Sequence, residues 1–422
     1  MIGAREAAYR SLVRCAKDNK FANLEIDSAI KKFNLEGAER SLYTVLVYGT
    51  IERMLTLDFY LSNCSDKPID KLDFSVLTIL RLCAYQILFL DRIPDHAAVN
   101  ESVELAKRNA PKGSAGFVNA VLRKLIECKD KLELPNLSVR YSVPEWITEL
   151  WCSQYGHEKA VEILEGMDKP PVMTLRVNTL VTERDWLLNL LTEKGIKAEK
   201  TEHSPVGIHI MQGISFMQIV QLCGNSAYVQ DEASQLTVEA VDASQNEFVI
   251  DTCSCPGGKS FGMAMCMDNR GKLLSLDLHK SKLSLVDKGA VRLGIDIIET
   301  REHDGKSYIE EFYHKADRVL CDVPCSGLGV MAKKPETRYK DREAIERLPE
   351  IQYSILSASS AYLKDGGVLV YSTCTLNKNE NENVVERFIS ENKEFTLDSM
   401  ITHFPVKGKS DGFFHAKLLK CK

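Results

Sequence analysis

From Phe248 onward the chain alternates short apolar runs with helical stretches: Phe248-Val249-Ile250, Lys272 to Leu276, Ile295 to Thr300, Arg318 to Leu320 and Val368 to Tyr371. Strands that short and that apolar, each separated by a helix, bury both faces only as a mostly parallel sheet covered by helices on two sides. A doubly wound α/β domain is therefore expected over residues 231–422. At roughly 150 residues per domain, a chain of 422 has room for more than this one. A composition 44% hydrophobic and 27% charged excludes collagen-like and disordered classes.

The rest of the chain reads differently. Tyr9, Leu12, Val13 and Ala16 fall at i, i+3, i+4 and i+7, and the spacing recurs in Leu42, Val45, Leu46 and Gly49 and again in Leu77, Leu80, Arg81 and Ala84. An all-helical domain over 1–130 follows. Lys129 to Pro144 mixes charge and proline without a period, which marks a linker. A helical piece from Trp146, an alternating strand Val172 to Asn178 and a leucine-rich helix around Trp186 to Lys194 predict a small α+β subdomain over 140–230.

Thirteen cysteines, an odd number without a CxxC pair, fit neither a disulfide framework nor a zinc module, so no metal is expected. The charges at Arg5, Glu6, Arg10 and Arg14 do not read as a secretory signal, and no stretch reads as a membrane span, so a cytoplasmic protein is expected. A net charge of −5 means that a nucleic-acid partner would have to be met by a local basic surface.

In a doubly wound fold ligands collect at the carboxyl ends of the strands, where glycines let the backbone come close to a nucleotide. The first strand runs into Asp251-Thr252-Cys253-Ser254-Cys255-Pro256-Gly257-Gly258-Lys259-Ser260, a cofactor-loop candidate too poor in glycine spacing for a triphosphate cradle. The second strand ends at Asp277, placed to meet ribose hydroxyls, with capping of the next helix as the plainer alternative. Asp304 and Asp322 follow the third and fourth strands and put acidic groups on the same rim. Cys325, after the fourth strand, and Cys374, after the fifth, should then face one pocket, because adjacent strands lie about 5 Å apart. Cys15, Cys83, Cys128 and Cys152 read as ordinary small hydrophobes.

Asp317-Arg318-Val319-Leu320-Cys321-Asp322-Val323-Pro324-Cys325-Ser326-Gly327, with Ser372-Thr373-Cys374-Thr375, resembles the paired-cysteine signature of RNA cytosine-5 methyltransferases that use S-adenosyl-L-methionine. Leu175-Arg176-Val177-Asn178, Gln230-Asp231-Glu232-Ala233-Ser234 and Gly412-Phe413-Phe414-His415-Ala416-Lys417-Leu418 resemble further motifs of that family in order. Upstream, Leu46-Val47-Tyr48-Gly49, Arg92 to Asn100 and Gly116 to Arg123 are similar to the NusB-type RNA-binding domain fused to the RsmB (Sun/Fmu) branch. The chain departs from the pattern at Ser254 and Cys255, where the family usually has two alanines.

The resemblance implies a NusB-like helical domain, a small RRM-like subdomain and a Rossmann-like methyltransferase domain. It implies methylation of carbon 5 of a cytosine in 16S ribosomal RNA, free or in an assembling small subunit, by a monomer. Cys374 is implied as the nucleophile, Asp322 as the acid near ring nitrogen 3 and Cys325 as the group assisting release. For S-adenosyl-L-methionine it implies Cys253, Ser254, Cys255, Pro256, Gly257, Gly258 and Lys259 on the methionine side, Asp277 at the ribose, Asp304 at the adenine, and Asp322. Transfer RNA as the substrate, or a non-catalytic NusB-like RNA-binding factor, are the alternatives. An amino-methyltransferase fits poorly, since Asp322-Val323-Pro324-Cys325 lacks its Pro-Pro-aromatic strand end, and a dithiol redox enzyme lacks the CxxC pair.

Overall fold

Every regular element from Ala4 to Gly166 is helical in the computed structural model, which describes residues 2–18, 22–211 and 214–421. Contacts divide the chain into two compact units, one of residues 1–161 with 334–339 and the other of residues 162–333 with 340–422. In the first, the helices Gly37–Glu52, Met54–Cys64 and Phe74–Phe89 bury Tyr43, Leu46, Leu57, Leu61, Ile79, Leu80 and Leu82 completely. Asp73 caps Phe74–Phe89, accepting from the Ser75 and Val76 amides, two of the donors a helix start leaves unpaired.

The expected stripes are buried in part, within wider buried faces. Helix Ala4–Asp18 buries Tyr9 and Leu12 of its stripe, together with Ala4, Ala7, Ala8 and Ser11, and leaves Ala16 exposed. Helix Gly37–Glu52 buries Leu46 and Gly49 of its stripe, together with Tyr43, Val47 and Thr50, and exposes Val45. Alanine, serine and threonine fit close helix–helix contacts that leucine-based pattern reading overlooks. The expected linker also holds a helix, Leu137–Tyr141, capped by Asn136 accepting from the Val139 amide at 2.9 Å. Within the same unit, Arg338 is buried and donates to the carbonyls of Glu52 (2.7 Å) and Ser142 (3.2 Å), contacts that no local pattern announces.

The second unit holds two sheets. The strands β1 (Met173–Val177), β2 (Ala198–Lys200), β3 (Gly207–Ile210) and β4 (Ala227–Val229) form an antiparallel sheet in the order β2-β3-β1-β4. Leu175, Val177, Ile208 and Ile210 bury one face against Leu187, Leu191 and Ile219 of two helices. The larger sheet contains β5 (Phe248–Asp251), β6 (Lys272–Asp277), β7 (Ile298–Glu302), β8 (Ala316–Asp322), β9 (Leu363–Thr373), β10 (Phe395–His403) and β11 (Phe413–Lys420) in the order β10-β11-β9-β8-β5-β6-β7. β5 to β9 are mutually parallel, and β11 pairs antiparallel with β9 and β10.

The five apolar runs read as strands thus all find their places, with one shift. The third strand begins at Ile298, not Ile295. Gly294 turns the chain at φ +71°, and the Ile295 amide closes back on the Ala290 carbonyl at 2.9 Å, so Ile295 ends a helix and buries its side chain there.

Candidate functional site at the carboxyl ends of the parallel strands

β5 ends on Asp251 and the chain turns over a cis Cys255–Pro256 bond into helix Gly258–Cys266. Gly257 makes that turn at φ +108°, where a Cβ would lie 2.5 Å from the Phe261 ring, so both conformation and space require glycine. The Ser254 amide bonds the Leu276 carbonyl at 2.8 Å and ties the loop to β6. Asp251 is buried and accepts from Ser260 Oγ at 2.6 Å, and Ser275 Oγ donates to Ser260 Oγ at 3.0 Å. Burial pushes the Asp251 carboxyl up to about 7, against the pull of the Ser260 hydrogen bond. Asp251 Oδ1 and Ser254 Oγ are buried without a hydrogen-bond partner, two polar atoms at the loop still to be satisfied.

Lys259, in the first turn of that helix, reaches across to Asp322 at the end of β8, with Nζ 2.6 Å from Oδ2. Ser372 lies opposite Asp322 in the parallel register of β8 and β9 and donates to Oδ1 at 2.7 Å. The ammonium of Lys259 also stands 4.8 Å from the Phe413 ring centroid. Both oxygens of Asp322 are therefore held by donors, and its direction is set by two neighbouring elements.

The two thiols meet. Cys325 Sγ and Cys374 Sγ lie 3.1 Å apart. Ser326 Oγ and Thr375 Oγ1 share a hydrogen bond of 2.7 Å, and the Gly329 amide donates to the Cys374 carbonyl at 3.0 Å. A Cβ at Gly329 would sit 2.1 Å from the Gly412 carbonyl oxygen and 2.8 Å from that of Cys374, so the approach of the two loops depends on glycine. The hydrogen bond with Cys374, then burial, then the neighbouring Cys374 and Glu380 charges push the Cys325 thiol well above its ordinary range. Burial raises Cys253 as well; burial and the Asp277 carboxylate raise Cys255 to about 12. These two loop thiols stay protonated at neutral pH.

Asp277 is half-buried at the end of β6, and its Oδ1 accepts from the His279 amide at 2.9 Å just before helix Lys280–Leu293. The contact is a turn before the helix and not its cap, since His279 holds the N-cap position and no side chain caps that helix. Asp304 is exposed, its Oδ1 accepting from the Lys306 amide at 3.1 Å and its carbonyl from the Ser307 amide. A Cβ on the adjacent Gly305 would lie 3.6 Å from the Thr252 carbonyl oxygen, so this turn runs beside the end of β5.

Other polar groups here, Asp231 apart, were not singled out from the sequence. Tyr228 donates to the Gly258 carbonyl at 2.7 Å. Lys333 sits between Asp231 (2.8 Å) and Asp411 (2.7 Å), and burial lifts the Asp411 carboxyl to about 6. Glu380, completely buried, accepts from the Ser326 amide at 2.8 Å and from Gln352 Nε2 at 2.9 Å. Nothing near Glu380 in sequence marks it, because Asn377-Lys378-Asn379-Glu380-Asn381 reads as a solvent turn. Only its proximity to Cys374 in the chain could have drawn attention to it.

Comparison with known proteins brings three family models onto the chain: 16S rRNA methyltransferase RsmB/F over residues 238–419, the NusB family over 3–127, and an RsmF/B-like ferredoxin-like domain over 143–217. A probable ribosomal RNA small subunit methyltransferase B of Bacillus subtilis is 39% identical over 96% of this chain and 92% of its own length. A protein of the same description from Synechocystis is 32% identical with both chains fully covered. The crystal structure of PH0851 superposes with a TM-score of 0.83 at 24% identity, covering 100% of this chain and 99% of that one, which shows a shared fold. Among the described residues no helix is long and apolar enough to cross a membrane.

Proposed function

The chain belongs to the RsmB/F family of ribosomal RNA small-subunit methyltransferases, and from that premise we propose that it methylates carbon 5 of a cytosine in 16S ribosomal RNA through a covalent adduct on Cys374. The single observation that carries the covalent reading is the pair of thiols 3.1 Å apart beside Asp322, which an enzyme methylating an exocyclic nitrogen would not need. The segment 1–130 is assigned RNA affinity, 140–230 the small subdomain and 231–422 the chemistry.

The cofactor assigned to the β5 loop is S-adenosyl-L-methionine. The loop fits it on three counts: a glycine turn with no room for a side chain, two buried polar atoms without partners, and a carboxylate at the end of β6 for ribose hydroxyls. Cys253 to Lys259 line the methionine side, Asp277 the ribose and Asp304 the adenine. When bound, this group supplies a methyl made electrophilic by its sulfonium.

The chain's own residues do the rest. Carbon 5 of cytosine is a weak nucleophile until a thiolate adds at carbon 6, and Cys374 is assigned that addition. Ring nitrogen 3 takes up a proton as Cys374 adds; Asp322 is assigned its delivery, passing on a proton that it takes from the Lys259 ammonium 2.6 Å away, which is left as the amine. Cys325 then takes the hydrogen of carbon 5 so that Cys374 can leave. Incubating transcribed 16S ribosomal RNA with methyl-labelled cofactor and digesting to nucleosides tests the reading. Label in 5-methylcytidine supports it; label in N4-methylcytidine, or none, overturns it.

A further inference from the structure

We propose that Glu380 is the positioning residue that holds the Cys325 loop against Cys374 for release of the methylated RNA, an inference that rests on the covalent reading above. Glu380 lies in the turn between β9 and helix Glu382–Glu391 and is 0% exposed. Its Oε2 accepts from the amide of Ser326, the residue after Cys325, at 2.8 Å and from Gln352 Nε2 at 2.9 Å, while Oε1 accepts from Asn377 Nδ2 at 3.1 Å. Gln352 also donates to the Pro324 carbonyl at 3.0 Å, so the residues on both sides of Cys325 are tied to the same carboxylate cluster. The neighbouring Asn381 brackets the other thiol, accepting from Thr373 Oγ1 at 2.5 Å and donating to the Thr375 carbonyl at 3.0 Å. Two consecutive residues thus anchor both cysteine loops, Glu380 the first and Asn381 the second.

A buried carboxylate held by three neutral donors is a costly way to fasten a loop, since desolvation of a charge is only partly returned by such bonds. What the carboxylate offers is an oxygen, Oε2, that accepts from the Ser326 amide and from Gln352 together, and a second, Oε1, fixed by Asn377. Once Cys374 is bonded to carbon 6, its hydrogen bond and its charge no longer hold the proton on Cys325, which gives that proton to water and, as thiolate, takes the proton from carbon 5 and becomes a thiol again. The electron pair of the broken C–H bond re-forms the double bond between carbons 5 and 6, and the C6–S bond breaks with its electrons leaving on Cys374 as thiolate. The proton on ring nitrogen 3 returns through Asp322 to Lys259. Cys325 must therefore sit next to the sulfur bonded to carbon 6, and the 3.1 Å separation places it there. Glu380 touches neither RNA nor cofactor in this scheme; it acts through the Ser326 amide.

The test is a single turnover on transcribed 16S ribosomal RNA, reading methyl transferred and RNA–protein adduct surviving denaturing electrophoresis, with Cys325→Ala as the reference trap. Glu380→Ala is expected to transfer methyl in the first turnover and to release the adduct at least tenfold more slowly than the wild type. Glu380→Gln keeps an acceptor for the Ser326 and Gln352 donors, and release is expected to recover to within about threefold of the wild type, which a mere loss of folding would not predict. Gln352→Leu cuts the tie on the other side of Cys325 and should slow release at least threefold, a readout that stands even if Glu380→Ala does not fold. If Cys325→Ala traps RNA while Gln352→Leu and any folded Glu380→Ala protein release it at the wild-type rate, the proposal falls and the covalent reading survives. If Cys325→Ala traps nothing, the covalent reading falls and takes the proposal with it.

Discussion

Replacing Lys259 with methionine keeps the length and the apolar stem of the side chain and removes its charge. The structure gives the size of the loss. Nζ lies 2.6 Å from Asp322 Oδ2, and the two side chains are only 12% and 27% exposed, so solvent replaces little of the interaction. A hydrogen bond between charged groups in such a setting contributes about 1.5–3 kcal/mol. The contact of the ammonium with the Phe413 ring adds about 0.5–1 kcal/mol. Asp322 keeps the Ser372 hydrogen bond and its place at the end of β8, so its orientation is weakened and not abolished. If about 2–3 kcal/mol of that is felt where Asp322 delivers its proton, methyl transfer falls about 30- to 150-fold, at 1.36 kcal/mol per factor of ten. The assay is single-turnover transfer of labelled methyl at saturating RNA and cofactor, with urea unfolding alongside to confirm a folded variant. Lys259→Met transferring methyl within threefold of the wild-type rate would refute the assignment of Lys259 to Asp322.

Three further outcomes follow from the same geometry. Asp277→Ala removes a ribose acceptor worth about 1.5–3 kcal/mol, so titration calorimetry should show S-adenosyl-L-methionine binding about 10- to 150-fold more weakly, and unchanged affinity counts against the ribose assignment. Asp251, raised to about 7 by burial, contributes stability that is complete below about pH 4 and is lost as pH rises through 7, a change of about 4 kcal/mol; Asp251→Asn should flatten the urea-unfolding profile over that window, and parallel profiles would contradict the burial argument. Gly329→Ala must push the Gly412 and Cys374 carbonyls apart at a cost of about 1–3 kcal/mol in unfolding free energy and should slow turnover further by separating the thiols; a variant as stable and active as the wild type would show that the loops can part freely.

Much of this architecture is legible in the residues because the parallel sheet leaves a local mark. Val249, Ile250, Leu273, Leu274, Val319 and Leu320 are apolar in unbroken runs, since strands of a doubly covered sheet have no solvent face. The strand ends then follow by counting, and with them Asp251, Asp277, Asp322 and the meeting of Cys325 with Cys374. Where the signal fails, a tertiary contact has replaced a local one. Ile295 is as apolar as any strand residue, but the turn at Gly294 hands it to the preceding helix. Thr50 and Ser11 are polar in composition and buried in fact, which widens the buried face of their helices beyond the apolar stripe. Arg338 and Glu380 look like surface charges; each is buried because backbone groups distant in sequence, the carbonyls of Glu52 and Ser142 in one case and the amide of Ser326 in the other, receive it. Asp304 follows β7 as its place in the sequence predicts, its exposed side chain accepting from the Lys306 amide.

The covalent role of Cys374 is tested most directly with RNA carrying 5-fluorocytidine, whose carbon 5 has no hydrogen for a base to remove once the methyl is in place. With S-adenosyl-L-methionine and wild-type protein, the adduct should therefore persist through denaturation and tryptic digestion. Cys374 falls in the peptide 365–378 as its only cysteine, whereas Cys325 falls in 319–333 beside Cys321, so mass spectrometry separates the two thiols. The nucleotide is expected on peptide 365–378, with the methyl attached to it. A nucleotide on 319–333, or RNA that is methylated at unmodified cytosines yet never retained on the protein when fluorinated, would contradict it.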